Sequence, residues 1–65
     1  MKNILIVKLS SIGDVIHALP VSYAIKETYP EAHLTWVVEP PAYDIVAMDA
    51  CVDEIIVFRK KEFRS

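Results

Sequence analysis

The stretch Asn3–Leu9, NILIVKL, decides the fold. Its run of β-branched and leucine residues lacks polar alternation, the pattern of a central strand covered by helices on both faces of a parallel sheet. Ser10, Ser11, Ile12 and Gly13 then form a turn, and Asp14 is placed to cap the helix that follows, its carboxylate accepting from free backbone N–H groups. Pro20 lacks an N–H and clashes with the carbonyl four residues back, so the spacing predicts a short turn followed by a longer helix that starts at Pro20. In that helix Val21, Ala24, Ile25 and Thr28 share one face, Lys26 and Glu27 point away, and Tyr29-Pro30 closes the element.

Outward from this unit, His33 to about Glu39 (HLTWVVE) reads as a second strand. Roughly two dozen residues separate it from the first, enough for a helical crossover between parallel strands. After Pro40-Pro41, a short helix near Tyr43–Met48 leads to a third strand, Asp53–Phe58 (DEIIVF). The fold class is therefore α/β, a Rossmann-like parallel sheet in β-α-β-α-β order. Three such strands make half of a doubly wound sheet, which would leave an edge and one helix face unprotected if the chain ended at Ser65.

The chain has 65 residues, 54% of them hydrophobic, and a single cysteine. So short a chain buries a thin core, and neither a disulfide nor a zinc spacing compensates, which points to more chain or a partner. Cys51 reads as a reduced core residue and not as a nucleophile. The apolar run after Met1 is too short for a signal or a membrane span, so a soluble, cytoplasmic protein is expected. A net charge of −2 excludes a generally basic nucleic-acid binder, yet four of the seven cations gather at Arg59, Lys60, Lys61 and Arg64.

Ligands of open parallel sheets bind beyond the carboxyl ends of the strands, which directs attention to Lys8–His17, KLSSIGDVIH. The chain's single glycine excludes the dinucleotide fingerprint, and no P-loop pattern is present. The turn offers two hydroxyls, a glycine that admits a ligand to the backbone, a carboxylate at a helix start and a histidine three residues on. Asp14 has two readings: a helix cap stabilising by about 0.5–2 kcal/mol, or a general base facing a substrate hydroxyl. His17 reads as a half-buried helix residue with no second metal ligand at suitable spacing. Lys8 either snorkels to solvent or faces a ligand's negative charge.

The segment IVKLSSIGDVIHALP resembles the N-terminal signature of the lipopolysaccharide heptosyltransferases, glycosyltransferase family nine. The similarity continues through TWVVE, Tyr43–Cys51 and VDEIIVF into the basic tail RKKEFR. It implies a GT-B type enzyme with two Rossmann-like domains across a cleft. Residues 1–65 would form part of the N-terminal, acceptor-side domain, inactive without the donor-binding domain. The implied reaction is an inverting, metal-independent and cofactor-free transfer of heptose from ADP-heptose to the Kdo-containing inner core of lipopolysaccharide. By the resemblance, Asp14 is the catalytic base; Ser10, Ser11 and Gly13 shape its pocket; and Lys8 and His17 match signature positions concerned with charge and orientation. Arg59, Lys60, Lys61 and Arg64 match the segment that meets the anionic glycolipid, which implies peripheral contact with the inner face of the inner membrane. No nucleic-acid partner is implied.

Two other readings stand beside this one. A non-catalytic interaction module would self-associate through the exposed sheet edge. A phosphoacceptor domain would need an acidic pair where Lys8-Leu9 stands.

Overall fold

The computed structural model describes residues 2–59. Strand β1 (Asn3–Lys8) leads into helix α1 (Ile12–Thr28), strand β2 (His33–Val38), a 3-10 turn at Pro40–Ala42, helix α2 (Tyr43–Ala47) and strand β3 (Glu54–Val57). The three strands form one parallel sheet in the order β1-β2-β3. The β-α-β-α-β order and parallel pairing read from the sequence are therefore present.

Among the described residues the middle strand is β2, and β1 and β3 flank it. Two crossovers of the same hand that step along the sheet in one direction place both helices on one face. Accordingly, Val15 of α1 and Val46 of α2 pack with Leu34, Trp36 and Val38, all from the same side of β2. Ile4, Ile6 and Ile55 complete that layer. No described residue covers the opposite face, where Leu5 is 58%, Val7 55% and Ile56 46% exposed. The unbroken apolar run of β1 thus conceals a burial alternation, since only every second residue meets a helix here.

Helix α1 is also not broken at Pro20, which lies within a continuous helix. Apolar residues on both sides of Pro20, Val15, Ala18 and Leu19 before it and Ile25 after it, pack on the same sheet face and hold the element together. The packing face differs from the predicted one. Ser22 is fully buried, whereas Val21, Ala24 and Thr28 are exposed. Apolar residues occur nearly all around α1, so spacing alone does not choose its inward side. The buried Ser22 hydroxyl accepts a 2.8 Å hydrogen bond from Trp36 Nε1, which satisfies the one polar atom of the largest core side chain.

Lys26 does not point away either. Its ammonium donates to the Ala32 carbonyl and to Asp53 Oδ2, both at 2.6 Å. Asp53 Oδ2 also accepts from the Leu34 N–H at 2.8 Å. The Lys26 hydrogen bond, then the Leu34 N–H, hold the Asp53 carboxyl below its usual range. This tie joins the end of α1 to the amino ends of β2 and β3. Cys51 is half-buried in the turn before β3 and not in the core.

Candidate active site

The carboxyl ends of the three strands are aligned by register: Lys8 pairs with Val38, and Val38 with Val57. Phe58 N–H donates to the Val38 carbonyl at 2.8 Å and extends the last pairing by one bond. Everything that follows each strand emerges along this edge, the Ser10–Asp14 segment after β1, Glu39–Asp44 after β2 and Arg59 after β3.

At the first of these, Ser11 is the N-cap of α1, and its hydroxyl accepts from the Asp14 N–H at 3.4 Å. The Val15 N–H donates to the Ser11 carbonyl at 3.1 Å, which opens the helix. The capping role expected of Asp14 therefore falls to Ser11. Asp14 lies in the first turn of α1, exposed, and its carboxylate bonds no described residue. The physical reason is positional. A cap must have extended backbone, which Ser11 has at φ −62° and ψ 161°, whereas Asp14 is already helical. Ser11 and Asp14 also stand at the S-x-x-[DE] spacing of a capping box, a signal in the sequence that points to Ser11 as the cap.

Gly13 lies inside the first helical turn and not in the preceding loop. Its φ is not positive, and an added Cβ would meet only Ser11 Oγ at 3.9 Å. Its contribution is open space above the helix start. Ser10 is exposed in the connecting loop. His17 is exposed, not half-buried, and sits one helical turn beyond Asp14, so the two project on neighbouring positions of one face. Lys8 is half-buried at the end of β1, on the side of the sheet that carries the helices, with no hydrogen bond or ion pair to a described residue. The β1–α1 junction thus brings together Lys8, Ser10, Ser11, Gly13, Asp14 and His17.

Arg59 is exposed beyond β3 and lines a depression with Pro40, Tyr43, Asp44 and Val57. Of the four clustered cations it alone is among the described residues; Lys60, Lys61 and Arg64 lie outside them. Tyr43 and Asp44, at the start of α2, were not singled out by the sequence, because a short helix after Pro-Pro carries no motif. No group of three or more His, Cys, Asp or Glu side chains suited to a metal occurs among the described residues. No helix there is long and apolar enough to cross a membrane.

No protein-family model matches the chain. Lipopolysaccharide heptosyltransferase 1 of Escherichia coli K12 is 36% identical over 62 residues, which make up 95% of this chain and 19% of that protein. The glycosyltransferase family 9 structure from Veillonella parvula superposes with a TM-score of 0.87 at 30% identity, covering 92% of this chain and 17% of the other. The E. coli heptosyltransferase WaaC with ADP-2-deoxy-2-fluoro heptose superposes with a TM-score of 0.82 at 32% identity, covering 97% and 22%. The chain spans about a fifth or less of the length of the curated relatives it matches. Along nearly all of its residues, from β1 past β3, the chain is a homologue of the lipopolysaccharide heptosyltransferases of glycosyltransferase family 9.

Proposed function

We propose that this chain forms the acceptor-side part of a glycosyltransferase that moves heptose from ADP-heptose to the Kdo-containing inner core of lipopolysaccharide, with inversion and without a metal or other cofactor. The observation that carries the reading is the unengaged Asp14 carboxylate beside the carboxyl end of β1, left free because Ser11 caps the helix. The donor class follows from the relative solved with an ADP-heptose analogue.

In the proposed step the Asp14 carboxylate takes the proton of an acceptor hydroxyl as its oxygen attacks the anomeric carbon. The bond from that carbon to the departing ADP oxygen breaks with its electron pair, and attack from the opposite side inverts the configuration. Lys8 supplies positive charge near the substrates, and His17 orients the acceptor. Ser10 and Ser11 line the pocket, while Gly13 keeps it open. Arg59 begins the basic segment continued by Lys60, Lys61 and Arg64, which draws in the anionic glycolipid and brings the protein to the inner face of the inner membrane.

Asp14→Asn tests the mechanism. In the full-length protein, transfer is expected to slow by roughly 10²–10⁴-fold, with unchanged circular dichroism; an undiminished rate removes Asp14 from the chemistry. A second reading, self-association through a sheet edge, is motivated by the free outer edges of β1 and β3 among the described residues. Sedimentation as a well-folded monomer at micromolar concentration argues against it.

A further inference from the structure

We infer that the buried hydrogen bond between Ser22 and Trp36 is a positioning device for the base: it sets the rotation of α1 on the sheet and, through it, the direction in which Asp14 points. The inference rests on the proposed role of Asp14 and adds two residues that act through it.

Apolar packing alone does not choose this rotation. Val15 and Ser22, seven residues apart, lie on the inward line of α1, and both are fully buried. A second apolar stripe, Ile12, Ile16 and Tyr23, runs about a quarter-turn away along the helix and is exposed. Its side chains are larger than Ser22 and Ala18 of the inward face, so apolar area gives the observed setting little advantage over a turned one.

The hydrogen bond supplies the missing direction. Trp36 Nε1 donates to Ser22 Oγ at 2.8 Å, and both residues are fully buried, so neither group has water to turn to. Turning α1 separates them and leaves an indole N–H unpaired in the apolar layer, a costly state for a buried donor. A buried polar pair selects in this way one packing among several of similar apolar content. A second polar tie of α1, from the Lys26 ammonium to Asp53 and the Ala32 carbonyl, leaves its last turn on a flexible four-carbon stem that follows a rotation without breaking.

Helix α1 is continuous across Pro20, so the setting at Ser22 is carried to Asp14, eight residues and about 12 Å along the axis. Val15, the neighbour of Asp14, is buried on the same side and keeps the first turns against the sheet. A carboxylate about 6 Å from the helix axis moves about 1 Å for each 10° of turn. A displacement of about 1 Å can cost roughly 10²-fold in rate. Small rotations of α1 therefore become large effects on proton transfer.

The test uses the full-length enzyme, assayed well below its unfolding temperature. Ser22→Ala and Trp36→Phe are each expected to lower kcat by about tenfold, with KM for both substrates within about twofold of the unmodified enzyme. The double variant falls no further than the slower single one, because both substitutions remove the same bond. Val46→Ala, a buried deletion in α2 that lowers the urea midpoint but leaves the bond in place, keeps its kcat. A Ser22→Ala kcat within about twofold of the unmodified enzyme, or an equal fall in Val46→Ala, overturns the inference. A crystal structure of Ser22→Ala reads the geometry apart from the reaction: α1 turned by about 10° or more supports the inference, and α1 superposing within about 5° overturns it. If Asp14→Asn leaves the rate undiminished, the base reading fails separately, and the crystal structure still decides whether the bond sets α1.

Discussion

Removing the Ser22 hydroxyl tests whether the core depends on a single polar contact. Trp36 is the largest fully buried side chain, and its indole N–H has one partner, Ser22 Oγ at 2.8 Å, itself fully buried. Ser22→Ala deletes a single oxygen and makes almost no cavity, so the effect isolates the orphaned N–H. Leaving a buried donor unsatisfied costs about 1–3 kcal/mol, which in a domain of this size lowers Tm by roughly 5–20 °C. Trp36 is the only tryptophan among the 65 residues, so its fluorescence in a urea titration reports the environment directly. Trp36→Phe, followed by circular dichroism, closes a double-mutant cycle. The loss caused by Trp36→Phe is expected to be smaller by about 1 kcal/mol when Ser22 is already alanine. A Ser22→Ala midpoint indistinguishable from the unmodified protein, together with zero coupling in the cycle, would refute the reasoning.

Two further outcomes are expected. The Asp53 carboxyl titrates below its ordinary 3.8 in the folded protein because of Lys26 and the Leu34 N–H, so its contribution is complete above that value and disappears as the pH falls through the lowered one. Asp53→Asn should therefore flatten the loss of stability measured by urea unfolding from about pH 5 down to about pH 2; an unchanged slope removes the tie from the acid response. Pro20→Ala restores a donor within α1 and is expected to raise stability by about 1–3 kcal/mol. An unmoved or lower urea midpoint would mean that the packing of α1 relies on the local geometry proline imposes.

The parts of the fold that could be read from the chain were those governed by local pattern. The apolar runs at residues 4–7 and 55–57, the Tyr29-Pro30 stop and the Pro40-Pro41 break each act within a few residues, and the elements fall where they indicate. What escaped reading depends on partners far away in sequence. Ser22 looks like a surface residue until Trp36, on another element, is placed against it. Lys26 looks solvated until Asp53 arrives 27 residues later. The apolar run of β1 does not show which of its residues meet α1 and α2; the register and the strand order do, with Ile4 and Ile6 on the helix side. At the candidate site, the loop after β1 was legible because its carboxylate, hydroxyls and glycine are contiguous. The division of labour between Ser11 and Asp14 follows from backbone angles, which residue types alone do not specify. The Tyr43–Asp44 wall meets Val57 and Arg59 only through the pairing of β2 with β3.

The clasp of Lys26, Ala32, Leu34 and Asp53 has an evolutionary consequence. It fastens the end of the sheet opposite the loops of the candidate site, separated from them by the length of a six-residue strand, roughly 20 Å. Energetic effects at such separations are close to additive. The loops at the far end are thus free to drift in sequence and acquire new preferences while the fastening at the near end is kept. Exposed positions such as Tyr43 and Asp44 can be varied with the clasp and the buried Ala42 spared, expecting most variants to fold.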